Sequence, residues 1–335
     1  MSEKQIIVIG VDESGYGPLL GPLVVSGCAF SVPKDHFGED LWLLLSKSVG
    51  DSKRGLDGRL LVADSKKAYQ GPSDLPILEE TVLSFLQQIC ITPAGFSELL
   101  VGIAKDLPQR TSFIPLKESY WYNDVWEEKV LPADVYDMKA KILEADLREH
   151  RISFLGARSI CLEAEDYNEA LQICGNNKAN IVFNSVVELI KEAISLTYCS
   201  APAPKLCIIC DKLGGRAYYG SLLQQAFPGL GVSMYSHNGL NCAFYNLKGK
   251  DIDASVCFQA GADNLHFPVA LASMFSKYTR EKIMACMNRY FVRYVPGLKP
   301  TAGYWKDGLR FLKVLEEQDI FQKLSLPKEI LVRRK

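Results

Sequence analysis

The sequence has no strong excess of charge of one sign and no long apolar run. Its 335 residues include 38 Lys and Arg against 39 Asp and Glu, so an overall positive field cannot be what attracts nucleic acid or an acidic membrane. No apolar run approaches the ~20 residues of a membrane span, and the first residues lack the apolar core of a secretory signal. We therefore expect a cytoplasmic protein without membrane association, whose basic surfaces are local.

Histidine is scarce, and cysteine follows no ligand pattern. The four histidines stand isolated, and the ten cysteines lie in apolar surroundings, which is typical of reduced core thiols in a chain of this size. Cys207 and Cys210 form a C-x-x-C pair, but no second pair and no histidine pair accompanies them. We interpret both as core residues rather than as a zinc or redox motif.

Apolar runs with strand character alternate with segments of helical spacing. Residues 5–11 and 22–30 are typical of two strands joined by a glycine-rich turn, and "KLCIICD" at 205–211 is a further short apolar run. Helical spacing covers 177–196, and a long helix is expected from about residue 266 to 290. Alternation of this kind predicts an α/β layered fold.

The stretch from 93 to 149 contains an aromatic cluster, "SYWYNDVW", and an amphipathic segment. In that segment, four apolar residues are predicted to share one helical face: Val135, Met138, Ile142 and Ala145. Such an aromatic cluster is more typical of a local packing core than of a base-stacking platform or a partner site.

Acidic residues follow two apolar strands where each strand ends. Asp12 and Glu13 follow "IIVIGV", and Asp211 ends "KLCIICD". Ligand sites of open α/β sheets gather at such ends, so adjacent strands would bring Asp12 and Asp211 together. Asp263 precedes the long helix, where we expect it to act as the N-cap. Taken singly, each acid is more often a cap or turn residue. Converging carboxylates, however, repel one another unless cations such as Mg²⁺ or Mn²⁺ bind.

Two further features are ambiguous. Ser273, Lys277 and Arg280 form a polar stripe on the long helix, which could contact phosphates but, taken alone, is more typical of a solvated face. The glycines of "SGYGPLLGP" permit close approach of a ligand to the backbone, yet the turn lacks the GK[ST] of a P-loop.

Three motifs occur in order: "GVDESGYGPLLGPLVVSG", "ADSKKA" and "DNLHFPVALASMFSKYTREKIM". They resemble the signatures of the type 2 ribonucleases H, the ribonuclease HII family. The resemblance implies an α/β ribonuclease H-like fold with a mixed five-stranded sheet flanked by helices. It also implies a catalytic core (1–92 and 150–290), an inserted segment (93–149) and a helical C-terminal part (291–335).

By the same resemblance, Asp12, Glu13, Asp211 and Asp263 are catalytic acids that bind two Mg²⁺ or Mn²⁺ ions. The implied reaction is endonucleolytic hydrolysis of the RNA strand, or of embedded ribonucleotides, in RNA–DNA duplexes, giving 5′-phosphate and 3′-hydroxyl ends. We expect Asp12 to bridge the two ions because it ends the central strand.

The resemblance also implies a substrate-binding set. The Gly15–Gly17 turn would approach the ribose 2′-hydroxyl, cationic side chains would contact phosphates, and an aromatic ring would stack on a sugar at the RNA-to-DNA junction. The implied residues are Gly15, Tyr16, Gly17, Lys66, Ser273, Lys277, Arg280 and Tyr304.

The sequence departs from the family pattern at three places. Tyr16 replaces an arginine, Gly303 replaces a basic residue before Tyr304, and 93–149 has no counterpart that we recognise. Two alternatives therefore stay open: a non-catalytic nucleic-acid-binding protein on the same fold, and a related nuclease for another nucleic acid, such as a branched structure or RNA alone. A protein partner at 93–149 is a further hypothesis.

Overall fold

The computed structural model describes residues 5–104, 120–197, 204–238 and 241–334. Their strands are β1 (Gln5–Ser14), β2 (Leu23–Pro33), β3 (Val49–Gly50), β4 (Leu60–Leu61), β5 (Ser153–Leu162), β6 (Lys205–Asp211), β7 (Gly231–Asn238), β8 (Cys242–Gly249) and β9 (Ile252–Gln259). Their α-helices are α1 (Leu41–Leu44), α2 (Ser65–Ala68), α3 (Leu75–Gln87), α4 (Phe96–Ile103), α5 (Tyr122–Glu127), α6 (Ala133–Glu149), α7 (Ala164–Ile173), α8 (Lys178–Thr197), α9 (Gly220–Ala226), α10 (Phe267–Tyr294), α11 (Trp305–Glu317) and α12 (Ile320–Lys323). None of these helices has the length and apolar character needed to cross a membrane.

The main sheet is mixed and has the strand order β5-β2-β1-β6-β9-β8-β7. β1 runs parallel to β6, and β6 runs parallel to β9, while the outer pairs are antiparallel. The predicted mixed sheet flanked by helices is confirmed, but it has seven strands instead of five. β9 was not expected from the sequence, although it pairs with both β6 and β8.

The two faces of the sheet bury separate cores, as the alternation along β1 illustrates. Ile6 and Val8 join the core under α3 and α10, whereas Ile9 and Val11 join the core under α8. At Gly10 a Cβ atom would lie 2.1 Å from the carbonyl carbon of Pro268, so only glycine allows α10 to begin so close to β1. This contact fixes the first turn of α10 beside β1.

The segment from 93 to 149 packs on the rest of the molecule through its described part. α4 and α6 contribute to the same core as α3, and Trp121 is buried against Tyr290 and Phe291 of α10. Burial of Trp121 agrees with a packing core and contradicts base stacking by this ring. Residues 105–119 lie outside the described residues, and the division into core, insertion and C-terminal part stays a prediction.

The buried face of α6 is not the predicted one. Val135, Met138 and Ile142 are 49%, 70% and 42% exposed, respectively. The face that packs against α3 carries Tyr136, Ala140, Leu143 and Leu147 instead. The helix has two apolar stripes, and the one with the larger tyrosine and leucine side chains is buried because it removes more apolar area from water.

Candidate active site

The ends of β1 and β6 bring the first acids together, as predicted. Val11 and Cys210 are partners in the parallel register, so Asp12 and Asp211 follow at the same edge of the sheet. Asp12 is buried, and its backbone carbonyl accepts a hydrogen bond from Ser276 Oγ of α10 at 3.0 Å. The Asp211 carboxylate accepts the backbone N–H of Ala262 at 3.0 Å.

Asp263 reaches this edge by a different route from the one predicted. It lies in a 3₁₀ turn at Ala262–Asn264, and the N-cap position of α10 is His266. Because Gln259 at the end of β9 is paired with Asp211, the turn after β9 places Asp263 beside the ends of β1 and β6. Asp263 is buried, and its Oδ1 accepts a hydrogen bond from Asn264 Nδ2 at 3.0 Å.

Sequence reasoning missed a fifth acid, Asp64. Its buried carboxylate caps α2 by accepting the backbone N–H of Lys66 at 2.9 Å. Its Oδ2 lies 3.5 Å from the same Asn264 amide that bonds Asp263. The signal was present in "ADSKKA", where an Asp stands directly before a short helical segment, as an N-cap does. We call Asp12, Glu13, Asp64, Asp211 and Asp263 the carboxylate edge.

Burial and repulsion between neighbouring acids raise the pKa values of Asp12, Glu13 and Asp263. Burial, followed by the charges of Glu13, Asp211 and Asp263, holds the pKa of Asp12 well above its ordinary range. Burial and Asp211 raise the pKa of Glu13 to about 7, and burial with Asp64 and Asp211 raises the pKa of Asp263 to about 6. Burial also raises the pKa of Asp211. The edge is therefore costly to ionise unless positive charge approaches it.

Lys66 is a cation at this edge. Its Nζ lies 4.0 Å from Asp263 Oδ2, and its side chain is 86% exposed. An exposed ammonium at this distance compensates several buried carboxylates only weakly, because water screens it. Lys66 therefore leaves most of the repulsion in place and stays available to a ligand.

The carboxylate edge has the chemistry of a hard-cation site. Within residues 5–104, 120–197, 204–238 and 241–334, no group of three or more His, Cys, Asp or Glu side chains is already arranged to hold a metal ion. The donors at the edge are all carboxylate oxygens, which suit Mg²⁺ and Mn²⁺, and divalent cations would relieve the repulsion that raises the pKa values. The residues fit such ions, provided that their side chains rotate to close the site.

The glycine turn follows β1 directly. Gly15 has a φ of +94°, and a Cβ atom there would lie 2.4 Å from the Pro22 carbonyl oxygen. Tyr16 extends to the loop after β6, where its hydroxyl lies 3.5 Å from the ideal Cβ position of Gly214. Burial, then Tyr167 and Glu13, raises the pKa of Tyr16. The turn thus presents a neutral, half-buried phenol where the family carries a cation.

The polar stripe on α10 is neither a solvated face nor a row of free cations. Ser273 is fully buried and accepts the backbone N–H of Ser65 at 3.1 Å. Arg280 is also buried and donates to backbone carbonyls at Leu20 and Ala302. Direct substrate contact by these two residues does not fit their burial, because their polar atoms support neighbouring segments. Lys277, mostly buried, pairs with Glu281 at 2.8 Å.

Tyr304 lies at the start of α11 and is 55% exposed, so it is open to a ligand. The preceding Gly303 has a φ of +83° and accepts the backbone N–H of Leu19 at 2.8 Å and of Leu20 at 3.1 Å. A Cβ atom at Gly303 would lie 2.4 Å from the Leu20 carbonyl oxygen. This close approach explains why the chain carries glycine where the family has a basic residue.

No protein-family model and no curated protein matches the chain. Among solved structures it is similar to ribonuclease HII of Archaeoglobus fulgidus, solved as a complex with PCNA, with 15% identity, coverage of 98% of this chain and 95% of that chain, and a TM-score of 0.45. It is also similar to ribonuclease H2 from Pyrococcus horikoshii OT3, with 14% identity, coverage of 97% and 92%, and a TM-score of 0.44.

A third similar structure is Bst ribonuclease HIII in complex with Mn²⁺, with 14% identity, coverage of 99% of this chain and 67% of that chain, and a TM-score of 0.41. All three similar structures are of ribonucleases HII, H2 or HIII, and the three motifs of this chain resemble the signatures of the HII family. At these identities and TM-scores, we base the function of this chain on its own residues.

Proposed function

We propose that this protein is a divalent-metal-dependent endonuclease that hydrolyses the RNA strand of RNA–DNA duplexes in the cytoplasm. The observation that carries the proposal is the carboxylate edge. Asp12 and Glu13, Asp64, Asp211 and Asp263 come from four separate segments of the chain, yet burial and neighbouring acids raise the pKa values of Asp12, Glu13 and Asp263. A fold gains no stability from such repulsion, so its presence favours a role in binding cations and catalysis.

The acids would hold two Mg²⁺ or Mn²⁺ ions, and Asp12, buried at the end of β1 beside β6, would be one of the ligands. Such ions, when bound, favour formation of a nucleophilic hydroxide from water and stabilise the leaving 3′ oxygen. The protein orients the acids: Ser276 fixes the backbone at Asp12, and the N–H of Ala262 fixes the carboxylate of Asp211. Glu13 and Asp263 complete the proposed catalytic set.

The duplex would lie across the exposed groups next to this edge. In our proposal Lys66 contacts a phosphate, the Gly15–Gly17 turn meets the ribose of the RNA strand, and Tyr304 packs on a sugar. Tyr16 supplies no positive charge to the substrate, which favours a continuous RNA strand over a single ribonucleotide embedded in DNA. A nucleic-acid-binding protein without activity, or a nuclease for another nucleic acid, is the alternative.

The test is metal-dependent cleavage of two end-labelled duplexes, one with a continuous RNA strand and one with a single ribonucleotide in DNA. Mg²⁺ and Mn²⁺ are each tried, with Asp12→Asn as the inactive variant and Asp251→Asn, an exposed acid on the β8–β9 turn, as its matched control. We expect the first duplex to be cut by the wild type and by Asp251→Asn, and the second to be cut poorly.

Loss of cleavage in Asp12→Asn with unchanged duplex binding would support catalysis at the carboxylate edge. Binding without cleavage by the wild type, in either metal, would instead favour the nucleic-acid-binding protein. Cleavage of a branched structure or of RNA alone would identify the other nuclease.

A further inference from the structure

A segment distant in sequence from the glycine turn is joined to it. Val332 forms an antiparallel bridge with Leu20, and the backbone N–H of Arg333 donates to the Leu19 carbonyl at 2.9 Å. Asn168 of α7 holds the same segment, because its amide donates to the Val332 carbonyl at 2.9 Å and its Oδ1 accepts the N–H of Arg334 at 2.6 Å. The segment is therefore fixed on both sides of Arg333.

The Arg333 side chain contacts the turn itself. Its guanidinium donates to the carbonyl of Gly15 at 2.5 Å and to the carbonyl of Tyr16 at 3.1 Å. The group is only 2% exposed, and it lies over the Tyr167 ring with 3.9 Å between the guanidinium carbon and the ring centroid. Burial of a cation is costly, and here two carbonyls and an aromatic face offset the cost.

This contact orients the turn. In a trans peptide the C=O and the following N–H point in opposite directions. Carbonyls of Gly15 and Tyr16 that point to Arg333 therefore direct the N–H groups of Tyr16 and Gly17 away from it. Gly17 is exposed, and the turn begins two residues after Glu13, so these N–H groups lie next to the place where a ligand of the carboxylate edge would bind.

We propose that Arg333 is a positioning residue, which holds the N–H groups of Tyr16 and Gly17 toward a hydroxyl of the RNA ribose. The inference rests on the proposed function and adds to it the source of RNA selectivity. The turn carries Tyr16 at the position where the ribonuclease HII family has arginine. In this chain the buried guanidinium of Arg333 supports the backbone of the turn. Arg333 touches neither substrate nor metal in this role.

The test separates recognition of RNA from general duplex binding. Affinities for an RNA–DNA hybrid and for the all-DNA duplex of the same sequence are measured by fluorescence anisotropy in the Asp12→Asn background, which we expect to bind without cutting. We expect Arg333→Ala to weaken hybrid binding about tenfold, as the loss of one or two ordered hydrogen bonds would, with all-DNA binding changed less than about twofold. Arg333→Lys keeps the charge but lacks the rigid planar fork that fixes two carbonyls in one geometry, so the loss of hybrid affinity should be intermediate.

Arg334→Ala is the matched control, because Arg334 is the exposed neighbour and its removal changes the net charge equally. Equal affinities for Arg333→Ala and Arg334→Ala, or a parallel fall for both duplexes, would overturn the positioning role. Thermal unfolding of each variant is measured as well. If Arg333→Ala is unfolded at the assay temperature, the folded Arg333→Lys variant tests the positioning role by whether its affinity falls for the hybrid alone. Absence of cleavage by the wild type would overturn the proposed function, whereas wild-type cleavage with unchanged Arg333→Ala affinity would overturn this inference alone.

Discussion

The carboxylate edge and the glycine turn adjoin each other, but different forces hold them. The edge collects buried and half-buried acids, and burial and repulsion raise the pKa values of Asp12 and Glu13. Lys66, which is exposed to solvent, balances these acids only weakly. The turn is held by buried cations that donate to its backbone or to the backbone beside it, Arg333 at Gly15 and Tyr16 and Arg280 at Leu20. The carboxylate edge thus keeps uncompensated negative charge, whereas hydrogen bonds from buried arginines hold the glycine turn in place.

This difference indicates that the carboxylate edge lowers the stability of the folded protein, whereas the contacts at the glycine turn raise it. The acids that bind a cation repel one another in the free folded protein, and cation binding relieves this repulsion. Groups that fix the backbone are satisfied before the ligand arrives, so their loss destabilises the free protein. Substitutions in the two regions should therefore change the free energy of unfolding in opposite directions.

The largest effect is expected at the turn, from Gly15→Ala. Alanine would have to adopt a φ of +94° with its Cβ 2.4 Å from the Pro22 carbonyl oxygen and 2.9 Å from Arg280 Nε. Strain and displacement should lower the free energy of unfolding by about 3 kcal/mol, measured by urea denaturation. Gly17→Ala is the control, because nothing lies within 4 Å of a Cβ atom there. Equal losses for the two variants would mean that the turn is not tightly held.

At the carboxylate edge, Asp12→Asn is expected to change the free energy of unfolding in the opposite direction, toward higher stability. Removing the acid relieves repulsion with Glu13, Asp211 and Asp263, so without metal the free energy of unfolding should rise by about 1 to 2 kcal/mol. Added Mn²⁺ should stabilise the wild type more than the variant, because a ligand is lost. Thermal unfolding with and without Mn²⁺ measures both effects. A destabilised variant with an unchanged response to Mn²⁺ would assign Asp12 a structural role.

The pH dependence tests the same edge without a mutation. Glu13 has a folded-state pKa of about 7 and Asp263 of about 6, above their ordinary values of 4.5 and 3.8. Between the ordinary and the folded-state pKa values, the folded protein binds more protons than the unfolded chain. The stability that these two groups contribute is therefore present at low pH and is lost as pH rises through 6 and 7. Without metal, we expect the free energy of unfolding to fall on the order of 1 kcal/mol from pH 6 to pH 8.

Saturating Mn²⁺ is the internal control for the pH series, because bound cations favour the ionised acids and should abolish that fall. A stability that rises from pH 6 to pH 8 without metal would show that these acids are not destabilised by folding.

Local sequence patterns predicted which acids lie at strand ends better than they predicted the elements around those acids. The apolar runs ending at Asp12 and Asp211 predicted two neighbouring strands, because a run that is apolar on both faces indicates a central strand. β9 was missed although Ile252, Ala254, Val256 and Phe258 alternate with other residues, since polar residues interrupt the apolar run. Without β9, the position of Asp263 could not be derived, and it was taken for a helix cap.

The turn contacts could not be predicted from local sequence. Arg333 and Gly15 are separated by more than 300 residues, and neither periodicity nor composition links an arginine to two distant carbonyls. Arg280 was placed on a polar stripe by helical spacing alone, which gives the face of a helix but not what covers it. The close approach of Gly303 to Leu20 is similarly a tertiary contact, although the glycine itself was visible as a departure.

The smallest effect is expected from Lys66→Met, which removes the exposed cation at the carboxylate edge. Its Nζ is 4.0 Å from Asp263 and its side chain is 86% exposed, so the free energy of unfolding should fall by less than about 0.5 kcal/mol. Hybrid affinity should fall more steeply at low salt than at high salt, because a phosphate contact is lost. Lys250→Met, which removes an exposed lysine on the β8–β9 turn, is the comparison for charge alone. A large loss of stability would mean that Lys66, rather than bound cations, balances the acids, and the contrast between edge and turn would then disappear.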